Sequence, residues 1–452
     1  MRDTGHDTTD GSAPQAAAPR QAGGGPAEPC GSPGATTLGL PAFFAIWSGQ
    51  AISLVASQAS QFALVWWLTL QTGSPAVLST ATLFALLPMV ALGPAIGALV
   101  DRWRRRWTMV VADGAVALGS LALAGLFFTG RATTVHVLLF LLWRAIGEAF
   151  HAPAMLSATS LMVPRQHLAK IQGLNQTLQG LLALVTAPLG ALLLGAIGIF
   201  GLMAIDVVTA LFAIVPLLFV SVPEPSRPAS GRAGSLLGEI SAGIRYIRGL
   251  PGHLALVAFT VVINLCLVPA FALLPLLVHE ELHGEASRLA WLSSAFGCGA
   301  IAGGLALGLV IGRFGGGARP ALASILGLGI ATLALGLTPA AAFPIAVAAM
   351  LSVGGLQAVA NGSIGAMMQA TIAPEFQGRV FTLMASLAGA MTPVGLLLAT
   401  PIADLAGVRA WYVAGGTVCA AMGTGAFFVR SILEIDRGGE AARPTPEPPP
   451  LR

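Results

Sequence analysis

Arg144, Glu148 and His151 stand at i, i+4 and i+7 in an otherwise apolar stretch. A helix would carry all three on one face, with the first two within pairing reach. A carboxylate held there could exchange a proton or receive a cation. The plainer reading, an ion pair that only fixes the register of its helix, stands beside it. Asp113 and Asp206 lie alone in apolar runs. The spacing points to Asp113 neutralising the arginines just before it, and leaves Asp206 open between contact with a bound molecule and helix packing.

Polar amides and hydroxyls repeat with helical spacing in two further segments. Gln172, Asn175, Gln176 and Gln179 form one stripe, and Gln50, Ser53, Ser57 and Gln61 another, with Asn264, Gln357 and Asn361 as weaker counterparts later in the chain. Such stripes line an aqueous cavity or hydrogen-bond between helices, at about 1 kcal/mol per bond. His279-Glu280-Glu281-Leu282-His283 has the spacing of a zinc-binding helix. Its place in a short loop with Gly284, without a defined third ligand, favours chance spacing, and a membrane metalloprotease is the outlying alternative. Cys30, Cys266, Cys298 and Cys419 stand far apart and imply neither a disulfide framework nor a metal site.

The elements carrying these residues follow from composition. Hydrophobic residues make up 55% of 452 and charged ones 9%, and mean hydropathy is +0.81, so lipid is the solvent. Apolar stretches of roughly 20 residues or more, enough to cross a bilayer core, recur near 42–71, 76–100, 108–129, 134–157, 168–194, 199–221, 252–278, 288–312, 318–337, 343–368, 376–401 and 408–432. With the N-terminus inside, alternate loops hold 19 of the 23 Lys and Arg residues, as cytoplasmic loops should. An error in the number of crossings would invert that bias downstream, so an all-α integral membrane protein of twelve helices with both termini cytoplasmic is expected. The basic balance reflects topology, and no basic patch suited to nucleic acid is present.

The Pro- and Arg-containing segment 223–251 separates two halves, 37–222 and 252–433, each expected to form a six-helix bundle. Residues 1–36 and 434–452, rich in Gly, Ala, Pro and Glu, are expected to be disordered cytoplasmic tails. Corresponding loops carry similar text: Gly97-Ala98-Leu99-Val100-Asp101-Arg102 in the first half, Gly308-Leu309-Val310-Ile311-Gly312-Arg313 in the second. Parallel repeats of this kind build one common transporter architecture, with its binding site at mid-membrane.

Gly97, Leu99, Asp101, Arg102, Arg105 and Arg106 match the signature loop of the major facilitator superfamily, with Val100 and Arg104 departing from it. The run Asp-Arg-Trp-Arg-Arg-Arg followed by Asp113, the segment from Arg144 to Ala154, and Ala204-Ile205-Asp206-Val207 resemble its drug-antiporter branch containing the macrolide-efflux proteins. The resemblance covers roughly residues 40–432. It implies a proton-driven exporter of lipophilic or cationic small molecules working by alternating access, with Glu148, Arg144, Asp206 and Asp113 as candidates for proton coupling. It also implies a cytoplasmic gate formed by Gly97, Asp101, Arg102, Arg105, Arg106 and Arg379, the Asp101 carboxylate facing the N-terminus of the eleventh helix. A monomer in the inner membrane without cofactors is expected, because no phosphate-binding Gly-x-x-x-x-Gly-Lys-Ser/Thr sequence occurs and an ion gradient must supply the energy. An exporter or permease for one defined metabolite, such as a siderophore, shares the architecture and is the alternative.

Overall fold

In lipid every backbone polar group must be satisfied within the chain, so a long apolar run can only become a helix or part of a closed barrel. The computed structural model describes residues 40–100, 103–220, 245, 247, 250–314, 318–372 and 374–433, and gives only the backbone for some helical residues, among them Gln172, Gln176 and Arg379. All regular structure among the described residues is helical. The expected tails, Asp101, Arg102 and most of segment 223–251 lie outside the described residues.

The first helices are α1 (Leu40–Thr72), α2 (Pro75–Val100), α3 (Arg105–Phe128) and α4 (Thr134–Met162). A continuous helical element, Arg165–Phe219, breaks at Gly198, where φ is 66° and ψ is −179°. Only glycine adopts that backbone readily, so the chain turns there and forms α5 (165–197) and α6 (199–219). Then follow α7 (Pro251–Leu276), α8 (Ala286–Phe314), α9 (Ala318–Leu337), α10 (Phe343–Thr371), α11 (Pro374–Ala406) and α12 (Val408–Ala426). Among the described residues, nine stretches are long and apolar enough to cross a membrane, one of them running 43 residues through α5 and α6. Together with α2 and α12, these fit twelve crossings.

Buried side chains are distributed unequally between the two ends of the bundle. Where α1 turns into α2, one large cluster draws on both halves, with Leu64, Trp66, Leu78 and Leu123 meeting Leu273, Leu277, Leu292, Ala403 and Tyr412. At the opposite end the first half packs on itself through Phe43, Ile96, Met109, Ala158 and Ile171. The second half does the same through Leu256, Leu322, Met367, Met368 and Val380. No buried cluster joins the halves at that end among the described residues. The contacts between halves lie toward the joined end. Thr400 Oγ1 on α11 donates to Ser79 Oγ on α2 at 2.8 Å. Ser294 Oγ on α8 donates to the Leu184 carbonyl of α5 at 3.1 Å.

The His279–His283 segment belongs to this joined end. Residues Leu277–Glu281 form a π-helical turn continuing α7. The His279 ring stands edge-on to Trp66 of α1 with centroids 6.1 Å apart. Glu281 pairs with Arg409 of α12 at 3.1 Å. His283 has a positive φ of 45°, so the α-helical geometry that would set both imidazoles on one face is absent. No group of three His, Cys, Asp or Glu residues arranged for a metal occurs among the described residues.

Candidate functional site

The first half contains a cavity of about 440 Å³ between α1, α3, α4, α5 and α6. Its α4 wall begins from a capped N-terminus, where the Thr133 side chain accepts from His136 N and the His136 side chain accepts from Thr133 N. Helical periodicity from there brings Arg144, Glu148 and His151 to the cavity, together with Gln50, Ser53, Ser57, Asn175 and Gln179. Pro153 sits two residues beyond His151. Lacking an N–H, it leaves the Ala149 carbonyl without its usual helical donor.

Three carboxylates face this cavity, each in a different setting. Asp206 is 2% exposed. It accepts from Ser57 Oγ and from Ser120 Oγ, both at 2.6 Å, so α1, α3 and α6 are tied through one side chain. Arg144 is also buried and donates from Nη1 to the Ser57 carbonyl at 2.6 Å. Ser57 therefore links a buried cation to a buried anion, which is how both charges are tolerated at this depth.

Asp113 accepts from Gln50 Nε2 at 2.8 Å. Its other oxygen stands 3.5 Å from His151 Nε2. That nitrogen is buried and makes no hydrogen bond, so the approach is an ion-pairing distance without hydrogen-bond geometry. Glu148 differs from both: it is exposed to the cavity and makes no hydrogen bond or ion pair among the described residues. A second cavity of about 560 Å³, lined by Gln58, Gln61, Leu86, Met89 and Pro153, shares Arg144 and Glu148 with the first.

This geometry corrects several sequence expectations. Arg144 does not pair with Glu148, because its guanidinium reaches across to the backbone of α1. Asp113 does not neutralise the arginines before it; its partners are Gln50 and His151. Arg106 donates instead to the Leu218 carbonyl at the end of α6. Arg105 is buried, with Nε and Nη1 lacking a partner among the described residues. Asn264, Gln357 and Asn361 stay apart from the first-half cavity, in a separate pocket of about 80 Å³ between α7, α9 and α10. There Asn264 Nδ2 donates to the Thr260 carbonyl of its own helix. Of the helix 5 stripe, Asn175 accepts from Trp47 Nε1 at 2.8 Å and Gln179 lines the cavity. The side chains of Gln172 and Gln176 lie outside the description, as do Asp101, Arg102 and the Arg379 side chain of the expected gate; Gly97 lies within α2.

Sequence reasoning missed Ser120 and Trp47. Ser120 is a single hydroxyl in an apolar run, a signal too small to stand out. Trp47 fell outside the polar stripe although it shares that helix face with its neighbours.

A helical bundle whose halves are joined at one end, with an acid-lined cavity at membrane depth, defines a polytopic membrane transporter. The family model of the Major Facilitator Superfamily matches residues 46–395. Macrolide efflux protein A of Streptococcus pyogenes is 33% identical over 394 residues, covering 87% of this chain and 97% of that protein. The multidrug efflux pump Tap of Mycobacterium tuberculosis is 25% identical over 410 residues, covering 87% and 93%. The fold agrees with a solved bacterial homologue of the iron transporter ferroportin in its inward-facing state, at TM-score 0.67 and 14% identity, covering 86% of this chain and 98% of that one. It also agrees with a D-xylose-proton symporter at TM-score 0.63 and 14% identity, covering 86% and 96%. The chain belongs to the Major Facilitator Superfamily, in the drug-antiporter branch that holds the macrolide efflux proteins, and is a transporter and not an enzyme.

Proposed function

We propose that this protein exports lipophilic, cationic small molecules of macrolide-like character from the cytoplasm in exchange for protons. One observation carries the reading: Glu148, without a partner among the described residues, projects into a cavity of about 440 Å³ whose wall also carries Trp47, Leu54, Met155 and Leu156. A carboxylate in such a wall attracts a cation whose body is apolar, while the surrounding side chains take up that body. The efflux functions in the names of its relatives support the direction of transport.

The unequal ends of the bundle support alternating access. The charge bias of the loops supports an orientation with the joined end outside. The cavity then faces the cytoplasm, where an exporter collects its substrate. Rocking the halves about the cavity would part the outer cluster and bring the inner ends together.

Efflux of a macrolide and of a lipophilic cation from cells expressing the protein, with and without a protonophore, tests the reading. Efflux should stop when the proton gradient collapses and the cellular ATP level is held. Efflux that persists under those conditions would remove proton coupling, and transport of neither compound would remove the substrate class.

A further inference from the structure

Three carboxylates face the 440 Å³ cavity, against one arginine. Arg144 and Asp206 are linked through Ser57, so their charges offset one another. Asp113 and Glu148 remain, and their surroundings suit them to different tasks. Glu148 is open to the cavity, whereas Asp113 is only 17% exposed, and the His151 side chain facing it 19%. Gln50 holds one Asp113 oxygen. Between the other oxygen and His151 Nε2, 3.5 Å away, the ring nitrogen is buried and unpartnered. This gap is a place where the pair could hold a proton between them. A protonated imidazole would draw the two groups into a charge-assisted bond of about 2.7–2.9 Å.

Resting on the proton-coupled reading above, we propose that the Asp113–His151 pair is the proton-binding site of the transport cycle, leaving Glu148 to receive the substrate's positive charge. The proton comes from water while the cavity is open to the outside. It returns to water when substrate binds with the cavity open to the cytoplasm. No bond other than N–H or O–H is made or broken. The groups facing the pair are few. On α4 they are Arg144, engaged with Ser57, and Glu148, one turn from His151; on α6 there is Asp206, held by two serines. The residues of α1 and α5 that line the cavity are uncharged, Gln50, Asn175 and Gln179 among them. A cation arriving at Glu148 lies close to the pair and repels a proton held there. Coupling is then electrostatic across one helical turn. Because Asp113, Gln50 and His151 sit on α3, α1 and α4, loading or unloading the proton also alters how these three helices hold together.

The test is proton release on binding. Purified protein in weakly buffered detergent solution, with a pH-indicating dye, is mixed with saturating tetraphenylphosphonium. Wild type should release close to one proton per cation bound near neutral pH. Asp113→Asn, shown to be folded by its size-exclusion profile and melting curve, should release less than a tenth of that. His151→Gln should change the pH profile of release, because the proton then has only one of the two groups to occupy. Glu148→Gln should weaken cation binding about tenfold and, at saturation, still release a proton. Undiminished release by Asp113→Asn, with no change in pH profile for His151→Gln, overturns the assignment, and so does loss of release in Glu148→Gln at saturation. Absence of release from wild type, with binding intact, refutes the proton-coupled reading itself, whereas wild-type release that Asp113→Asn leaves undiminished refutes the assignment alone.

Discussion

Glu148 and Ser120 show two kinds of work that a polar side chain performs at membrane depth. Glu148→Gln keeps size and hydrogen bonding but loses the charge, so half-saturating concentrations of cationic substrates should rise about tenfold, near 1.4 kcal/mol, while those of neutral lipophiles of the same size hardly move. Transport assays on a matched charged and neutral pair check this. Ser120→Ala removes one of the two hydroxyls that satisfy Asp206, and should lower stability by about 1–2 kcal/mol, read as a lower melting temperature in detergent with substrate affinity little changed. The helical face of Arg144, Glu148 and His151 was legible in the sequence because periodicity alone sets it. The partners were not. Whether Arg144 reaches four residues along its own helix or across to Ser57 depends on how closely α1 approaches α4, and no local pattern encodes that distance. Asp113 was misassigned for the same reason: its sequence neighbours are arginines, and its spatial neighbours are Gln50 and His151.

At the scale of elements, the runs of apolar residues located the helices well, because lipid leaves the backbone no alternative. The break between α5 and α6 falls at Gly198, whose positive φ separates the two crossings expected near 168–194 and 199–221. At 279–283 the π-helical winding of Leu277–Glu281 and the positive φ of His283 give the His-Glu-Glu-Leu-His spacing a geometry unlike that of a zinc-binding helix. The seam between α8 and α10 rests on glycines. A Cβ on Gly354 would overlap the Phe296 carbonyl oxygen, and one on Gly299 would overlap that of Leu351. Small residues let two helix backbones come this close. Gly354→Leu should therefore force the pair apart and sharply reduce the yield of folded protein, whereas Leu351→Ala, at a half-exposed position on the same helix, should be tolerated. Expression of fluorescent-protein fusions followed by size-exclusion chromatography compares the two.

For the whole molecule, the seam between the halves at one end is open to a direct test. Ser79 and Thr400 meet hydroxyl to hydroxyl at 2.8 Å. Cysteines at both positions, in a background lacking the native ones, should cross-link under mild oxidation. Transport should stop and return on reduction, because the proposed rocking cycle parts this seam. Continued transport with the cross-link formed would show that it does not. The orientation is checked by single cysteines at 230 and 284 with an impermeant thiol reagent: in intact cells position 284 should react and position 230 should not. If that orientation holds, the outer face of the protein consists almost entirely of tight connections. These are residues 73–74 between α1 and α2, 129–133 between α3 and α4, the turn at Gly198, 282–285 before α8, 338–342 before α10, and Gly407 between α11 and α12. Such a face gives a protease no extended strand to thread and an antibody little protruding surface to grip. Intact cells should therefore shield the protein from added trypsin, although Arg131, Arg288 and Arg409 lie at or beside those connections. A binder raised to lock it from outside would have to read the shape of the seam itself.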